Sequence, residues 1–240
     1  MNTERQQLGS TEDSRGRLRA RLVCAPTIED EQVAPFGIQQ LSLDAERDAL
    51  LLVPRTYQAN RPAPLAVMLH GAGGNAQHGI NLLRDHAEEA GVLLLAPASF
   101  YNTWDLFVDD YGPDVTTIDK ALEQVFRFFA VDPARIAIGG FSDGASYALS
   151  LGLTNGDLFT HIIAFSPGLF APAARWGRPR VFVSHGTNDE VLPIDRCSRW
   201  IVPRVEQAGC EVHYHEFGGS HTVPSTVASQ AVSWLLGRAH

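Results

Sequence analysis

The sequence predicts a single α/β domain built on a mostly parallel, doubly wound sheet. Short apolar runs that fit buried strands alternate with segments that carry apolar residues at helical spacing. Strands and helices that alternate in this way form βαβ units, with helices on both faces of the sheet. The 240 residues, 45% of them hydrophobic, are enough for one large core. No repeat or low-complexity segment divides the chain, so we expect one domain over residues 17–240.

The first half of the chain contains a tail, a hairpin and the first βαβ unit. Residues 1–16 are polar and charged, and we expect a disordered tail there. Residues 38–54 predict an antiparallel hairpin at a sheet edge, because two extended runs flank a polar turn. Residues 65–71 and 92–99 are continuous apolar runs, which are typical of strands covered on both faces. Between them, residues 75–91 have an Asn at one end and a Gly at the other, which predicts a helix.

The second half of the chain continues the same alternation. Residues 115–130 place four apolar side chains on one helical face, so a helix is expected there. Pro203 falls inside one of the later helices and predicts a kink or shift. The remaining strands are expected at 135–140, 161–166, 180–186 and 211–217, and the remaining helices at 142–153, 195–209 and 224–239.

Composition and charge exclude several classes of protein. The formal net charge is −8 and no dense run of Lys and Arg is present, so a nucleic-acid partner is not expected. No apolar run of 18 residues and no apolar signal-peptide core occur, so neither a membrane span nor secretion is expected. Three cysteines, Cys24, Cys197 and Cys210, lie far apart and are odd in number, which favours a reducing compartment. We therefore expect a cytoplasmic protein.

Ser142 is the first candidate catalytic residue. It lies in the stretch Gly-Phe-Ser-Asp-Gly at 140–144, between a predicted strand and a predicted helix. The pattern G-x-S-x-G is that of a nucleophile elbow, in which a strained turn exposes the serine hydroxyl and glycines let strand and helix approach closely. In isolation the five residues would fit a flexible turn equally well. The strand before and the helix after them favour a nucleophile.

A nucleophilic serine needs a base, and the base needs an orienting acid. His221 lies in a glycine-rich loop between the last predicted strand and helix, at the same carboxyl edge of the sheet as Ser142. Asp189 lies in the loop after the preceding strand, with Glu190 as the nearest substitute. The order Ser142, Asp189, His221 is that of a triad on this kind of scaffold. The sequence therefore predicts these three residues as catalytic.

Other histidines have simpler interpretations. His70 and His185 each close a strand just before a glycine, and we expect both to brace neighbouring loops. His213 and His215 alternate on one strand face and could indicate a metal, but no third ligand follows at a suitable spacing. We expect neither a metal nor an organic cofactor.

Two backbone N–H groups are expected to form an oxyanion hole. One belongs to Asp143, after the nucleophile, and the other to Ala72, in the loop after the first parallel strand. The surrounding segment 71–76 also matches the dinucleotide fingerprint G-x-G-x-x-A. The next strand, however, ends without the acidic residue that would hold a ribose, so a dinucleotide is not expected.

The segments HGAGGN, GGFSDGAS, HGTNDEVLP and SHTVP, in this order, resemble the α/β-hydrolase fold, and their spacing is similar to the phospholipase/carboxylesterase family. The resemblance spans residues 36–240. It implies a serine esterase that cleaves small carboxylic esters through an acyl-enzyme, without a large cap domain. It also implies roles for five residues: Ser142 as nucleophile, Asp189 as acid, His221 as base, and Ala72 and Asp143 as oxyanion donors.

Two features depart from that family. Asp143 stands where those esterases usually carry Gln, and a carboxylate there is expected to disfavour anionic substrates. Only residues 167–179 are available for a cap, so a small accessible ester is expected rather than a long-chain lipid. Trp104 and Phe107, in the loop 100–114 at the same edge, are predicted to line a substrate pocket, although aromatic side chains more often belong to the core.

Several alternatives stay open from the sequence. A thioesterase, a lysophospholipase or a polyester-oligomer hydrolase would use the same triad. A non-catalytic α/β-hydrolase that binds a ligand would keep the fold without the reaction, although the complete triad weighs against it. Uncovered edge strands leave a homodimer open, and no stable membrane insertion is expected.

Overall fold

The structure is a computed structural model that describes residues 15–22, 35–43, 49–108 and 110–238. Its strands are β1 (Gly37–Leu41), β2 (Ala49–Val53), β3 (Ala63–Leu69), β4 (Leu93–Pro97), β5 (Val131–Phe141), β6 (His161–Phe165), β7 (Arg180–Gly186) and β8 (Val212–Phe217). Its α-helices are α1 (Ala76–Asn81), α2 (Arg84–Ala90), α3 (Pro113–Phe128), α4 (Asp143–Thr154), α5 (Ser198–Gln207) and α6 (Ser225–Leu235).

The strands form one eight-stranded sheet in the order β1-β2-β4-β3-β5-β6-β7-β8. β1 pairs antiparallel with β2, and β2 pairs antiparallel with β4, whereas all pairs from β4 to β8 are parallel. The predicted mostly parallel sheet with antiparallel edge strands is therefore confirmed. The turn of the predicted hairpin, residues 44–48, lies outside the described residues.

Helices cover both faces of the sheet, as a doubly wound architecture requires. On one face, Ile118 and Leu122 of α3 share a core with residues of α4 and α5. On the other face, Ile80 of α1, Ala87 of α2 and Val232 of α6 share a second core. The central strands are buried on both faces, which is why their sequences are continuous apolar runs. No helix in the described part of the chain is long and apolar enough to cross a bilayer.

The single helix predicted over residues 75–91 is instead two helices, α1 and α2. Its predicted ends are correct: Asn75 caps α1 through its side chain, and Gly91 ends α2 with a φ of 77°. Between them, Leu83 donates its N–H to Ile80 three residues back, which tightens the chain and turns the Leu83 side chain into the core. Burial of Leu83 thus overrides the local helical pattern.

The helix predicted over 195–209 is also shorter than expected. A 3₁₀ turn occupies Ile194–Arg196, and α5 follows it from Ser198. Pro203 lies inside α5, where it lacks the N–H that would bond to the carbonyl four residues back.

The described N-terminal segment 15–22 packs against the end of α4. Leu18 and Ala20 are buried, and the N–H of Leu18 donates to Asn155 Oδ1 at 2.9 Å. Residues 1–14 of the predicted disordered tail lie outside the described residues, whereas Gly16 accepts a hydrogen bond from Asn155 Nδ2 at 2.7 Å. One domain from residue 17 onward stays our expectation.

His161, at the start of β6, predicts a loss of stability in mild acid. Burial, followed by the nearby charges of Arg180 and Arg135, lowers the pKa of this imidazole to about 4. As the pH falls from about 6.5 to about 4, the unfolded chain binds a proton that the folded chain does not. The free energy of unfolding should therefore fall by about 2–3 kcal/mol across this window from His161 alone.

Urea unfolding at pH 7 and pH 4.5 measures this effect. The variant His161→Gln does not titrate, so it should lose less stability between these pH values than the wild type. Equal losses in both proteins would contradict the assignment to His161.

Candidate active site

Ser142 occupies a strained turn at the junction of β5 and α4. Its backbone has φ 57° and ψ −120°, a left-handed conformation that few residues other than glycine adopt. The turn is held on both sides: the N–H of Ser142 donates to Phe165 O at 2.9 Å, and its carbonyl accepts from the N–H of Ser146 at 3.0 Å. This strain, fixed by the neighbouring strand and helix, is the geometry expected of a nucleophile elbow.

Gly140 and Gly144 make that turn sterically feasible. A Cβ on Gly140 would lie 2.5 Å from the carbonyl carbon of Gly144 and 2.6 Å from Leu69 O. A Cβ on Gly144 would collide with the carbonyl oxygens of Leu69 and His70. Only glycine therefore allows α4 to start this close to β3 and β5.

Gly144→Ala should destabilise the protein by about 3 kcal/mol, because the clashing atoms are backbone atoms that cannot rotate away. The matched control is Gly218→Ala, where an added Cβ would have no atom within 4 Å and φ is not positive. Urea denaturation measures both variants. A Gly144→Ala variant as stable as Gly218→Ala would contradict the close approach of α4 to β3.

Ser142, His221 and Asp189 form a continuous hydrogen-bonded chain. His221 Nε2 lies 2.9 Å from Ser142 Oγ, and His221 Nδ1 lies 2.6 Å from Asp189 Oδ2. The ring of His221 packs against Phe141, with centroids 4.5 Å apart, and its side chain is 15% exposed. A carboxylate at Nδ1 fixes the proton there, so Nε2 is the nitrogen that faces the serine hydroxyl as an acceptor.

The loops that carry Asp189 and His221 are joined to each other by their backbones. The N–H of Thr187 donates to Phe217 O, and the N–H of Asn188 donates to Gly219 O, both at 2.9 Å. These bonds continue the β7–β8 pairing beyond the ends of the strands. They explain how residues 32 positions apart keep hydrogen-bond contact.

Asp189 is buried and its carboxylate is fully engaged. Its Oδ1 accepts from the N–H groups of Val191 at 3.0 Å and Leu192 at 2.8 Å. Burial on its own would raise the pKa of Asp189, but the Leu192 N–H and the hydrogen bond from His221 outweigh it and hold the pKa below its usual range. The residue is therefore a carboxylate at neutral pH.

A second histidine, His185, also contacts Asp189. Its Nε2 lies 2.8 Å from Leu192 O and 3.2 Å from Asp189 Oδ2, and its Nδ1 lies 2.6 Å from Ser198 Oγ. Because a carbonyl only accepts, Nε2 carries the proton and Nδ1 accepts from Ser198. Burial lowers the pKa of His185, which keeps its ring neutral. The negative charge of Asp189 is therefore available to stabilise a protonated His221. His185 thus braces the acid loop, as the sequence predicts, although its contact with Asp189 itself was not predicted.

His70 braces the opposite side of the site. Its Nε2 accepts from the N–H of Ser99 at 3.0 Å, and its Nδ1 lies 2.7 Å from Gly71 O. This ties the end of β3 to the loop after β4. The predicted bracing role of His70 agrees with these contacts.

Of the two predicted oxyanion donors, Asp143 directly follows Ser142, and Ala72 lies in a loop that approaches it. A Cβ on Gly71 would lie 3.4 Å from the Cβ of Ser142, so the start of the loop after β3 lies against Ser142. Gly73 and Gly74 use their N–H groups within the fold, on Asn102 O at 2.7 Å and Gly71 O at 3.0 Å. The N–H groups of Ala72 and Asp143 donate no hydrogen bond within the described residues. Asp143 opens α4, where helical N–H groups have no intrahelical partner.

Trp104 does not line a pocket, contrary to the sequence-based expectation. Its side chain is fully buried, its Nε1 donates to His70 O at 2.9 Å, and its ring stacks on Tyr147 with centroids 5.2 Å apart. It packs behind the site as a core residue. Phe107 is partly buried and packs against the same core. Its assignment to a pocket stays a prediction.

Two buried carboxylates hold the loop that contains Trp104. Asp105 Oδ2 accepts from the N–H groups of Gly112 and Asp114, both at 2.8 Å, and Asp105 Oδ1 accepts from Tyr147 Oη at 2.8 Å. Asp114 Oδ2 accepts from the N–H of Asp105 at 2.7 Å. No local sequence pattern reveals this network, because its members meet only in the folded loop.

The segment available for a cap is anchored to α4. The N–H groups of Gly168 and Leu169 donate to Ser146 Oγ at 2.8 and 3.3 Å, and the N–H of Ala171 donates to Ser150 Oγ at 2.8 Å. The segment therefore follows the flank of α4, and Ser142 itself is partly exposed.

The parallel sheet with its serine elbow and the loops that bring His221 and Asp189 to Ser142 define an α/β-hydrolase fold. A profile of the family described as Phospholipase/Carboxylesterase matches residues 115–235, and the chain belongs to that family. The matched region contains the elbow and the loops of Asp189 and His221.

Curated relatives and solved structures are similar over most of the chain. A probable feruloyl esterase C from Aspergillus niger is 28% identical over 167 residues, which are 66% of this chain and 60% of the relative. A feruloyl esterase C from Emericella nidulans is 27% identical over 183 residues, 73% of this chain and 66% of the relative. The alignments thus span less than two thirds of these relatives. The crystal structure of a thermostable esterase has a TM-score of 0.65 at 20% identity, covering 85% of this chain and 63% of that one, and shows the shared fold.

Proposed function

We propose that the protein is a serine hydrolase that cleaves small carboxylic esters by acyl transfer. The observation that carries the proposal is the continuous hydrogen-bonded chain from Ser142 Oγ through His221 to Asp189 Oδ2, with distances of 2.9 and 2.6 Å. These are the contacts that a serine nucleophile, its base and the orienting acid need.

The geometry supports a two-step mechanism. Ser142 Oγ attacks the ester carbonyl while its proton moves to His221 Nε2, and the tetrahedral oxyanion accepts from the N–H groups of Ala72 and Asp143. His221 then gives the proton to the departing alcohol, and the acyl group stays on Ser142. In the second step His221 takes a proton from water as the water oxygen attacks the acyl-enzyme, and His221 then returns that proton to Ser142 Oγ as the bond to the acyl group breaks and the acid is released. Asp189 stabilises the imidazolium in both steps without taking its proton.

The proposed substrate class follows from the site and from the relatives together. The segment 167–171 runs along α4 and leaves Ser142 partly exposed, which suits a small ester. Two relatives carry the name feruloyl esterase C, and a third, from Coprinopsis cinerea, is named an acetylxylan esterase. We therefore propose acetyl and hydroxycinnamoyl esters as the first substrates for testing.

An active-site probe and a substrate panel test the proposal. Wild type should be labelled by a fluorophosphonate and should hydrolyse p-nitrophenyl acetate, methyl ferulate or both, with a burst of p-nitrophenol. An acyl thioester of matched chain length in the same panel distinguishes an esterase from a thioesterase. If the folded protein reacted neither with the probe nor with any member of the panel, a non-catalytic member of the fold would be favoured.

Location and assembly are further parts of the proposal. Cys197 and Cys210 are buried free thiols, which fits the reducing cytoplasm that the sequence predicts. Fractionation of the native cells checks this location. A homodimer stays a prediction, and size-exclusion chromatography with light scattering checks it.

A further inference from the structure

We infer that the carboxylate of Asp143 sets the charge preference of the site, so that the substrate is a neutral or cationic ester. Esters that carry a negative charge near the reacting carbonyl are hydrolysed more slowly. This rests on the proposed function, because it takes Ser142 Oγ as the attacking atom and the Asp143 N–H as an oxyanion donor.

Asp143 is held next to the reacting atoms. It follows Ser142 in the chain, is partly buried, and its Oδ2 accepts a hydrogen bond from Thr103 Oγ1 at 2.6 Å. That bond anchors the carboxylate between the loop after β4 and the start of α4, so the side chain does not swing out to bulk water. Thr103 is a neutral donor, so it fixes the position of the charge without neutralising it.

The loops around Ser142 provide few positive charges. These loops follow the carboxyl ends of the parallel strands, and their described residues include three arginines, Arg175, Arg178 and Arg196. Arg178 lies at the opposite edge of the sheet, where its Nε would be 3.7 Å from a Cβ on Gly209, just before β8. The N–H of Trp176, which follows Arg175, donates to Leu153 O near the C-terminal end of α4, so Arg175 also lies away from Ser142.

Most other charged groups near this edge are paired or acidic. Arg15 bonds to Asp110 at 2.7 Å. Arg199 bonds to Glu216 at 2.6 Å and to Asp195 at 2.7 Å, beyond the acid loop. Arg196 is exposed on the turn before α5. The acidic residues described on the edge loops and on the first turns of the helices that follow them are Asp105, Asp110, Asp114, Asp143, Asp189, Glu190 and Asp195.

A substrate anion in this environment would meet a net negative field. Two like charges a few ångströms apart in a partly exposed site change a rate by about tenfold. The N-terminus of α4 offsets part of the Asp143 charge, but its positive end is shared between the side chain and the oxyanion. The effect should weaken with added salt, because the site is open to counterions.

Asp143→Asn removes the negative charge but keeps an acceptor for the hydrogen bond from Thr103. The Asn side-chain oxygen still accepts from Thr103, and the backbone N–H is retained. The probes are the p-nitrophenyl monoester of adipic acid, which is anionic, and its neutral methyl ester. We expect the ratio of kcat/KM for the neutral ester to that for the anionic ester to fall by about tenfold in Asp143→Asn at low salt. In wild type, 1 M NaCl should lower the same ratio by several-fold.

Three further variants test whether the position of the Asp143 carboxylate matters, rather than the net charge of the site. Glu190→Gln removes an exposed negative charge at the same edge and should leave the ratio within about twofold of wild type. Thr103→Val frees the carboxylate and should lower the ratio, whereas Thr103→Ser should restore it. Thermal unfolding of each variant checks that it is folded.

The outcomes separate the charge preference from the proposed function. A ratio that is unchanged in Asp143→Asn and insensitive to salt would overturn the inference while ester hydrolysis stands. An equal fall in Glu190→Gln would also overturn it, because the preference would then come from net charge. If the folded wild type hydrolysed neither ester, that result would contradict both the proposed function and the inference.

Discussion

Ser142→Ala should lower kcat for a p-nitrophenyl ester by about 10⁴- to 10⁶-fold and abolish fluorophosphonate labelling. The hydroxyl is the only group at the elbow placed to attack a carbonyl, since its Oγ lies 2.9 Å from His221 Nε2. The residual rate would come from the oxyanion donors and substrate binding alone. Active-site labelling and steady-state kinetics measure the loss, and a variant that keeps wild-type turnover would refute the assignment.

The same position offers a stability test that is independent of activity. Ser142 holds a φ of 57°, which glycine adopts without strain. Relief of that strain should make Ser142→Gly more stable than Ser142→Ala by about 1 kcal/mol. This difference remains although the greater freedom of glycine in the unfolded chain offsets part of the gain. Urea denaturation compares the two. A Gly variant less stable than the Ala variant would show that the turn stores no strain.

The order of strands and helices could be predicted because it is encoded locally. Buried parallel strands need continuous apolar runs, and the residues at their ends are the ones that a doubly wound sheet brings to one edge. The elbow at 140–144 is the clearest example, because a Cβ at Gly140 or Gly144 would collide with backbone atoms. The chain order of Ser142, Asp189 and His221 then follows from the scaffold.

Features that depend on long-range contacts could not be predicted in this way. Trp104 points into the core because Asp105 and Asp114 organise its loop through buried hydrogen bonds, and nothing in the local sequence indicates that pairing. The break between α1 and α2 arises from the burial of Leu83, which local helical spacing does not register. The bond between Thr103 and Asp143 joins residues 40 positions apart.

Asp189→Asn should lower kcat by about 10⁴-fold while the protein stays folded. The side-chain oxygen of Asn can still accept from the N–H groups of Val191 and Leu192, which hold Asp189 Oδ1 in the wild type. The amide NH₂ then faces His221 Nδ1, 2.6 Å away in the wild type, and donates to it. That donation puts the imidazole proton on Nε2, so His221 can no longer accept the proton of Ser142.

The control is Asp195→Asn, which removes an exposed carboxylate just beyond the same loop. Its ion pair with Arg199 lies on the surface, so kcat should stay within about twofold of wild type. Equal losses of kcat in the two variants would mean that kcat depends on the charge of this region rather than on the tautomer of His221.

The double variant Ser142→Ala with Asp189→Asn tests whether the three residues act as one unit. Without the Ser142 hydroxyl, His221 has no serine proton to accept, so its tautomer no longer affects the rate. The double variant should therefore be no slower than Ser142→Ala alone. A further loss of the full 10⁴-fold in the double variant, about as large as in Asp189→Asn itself, would mean that Asp189 acts by another route. Its contact with His185 Nε2 at 3.2 Å would then be the first place to look for that route.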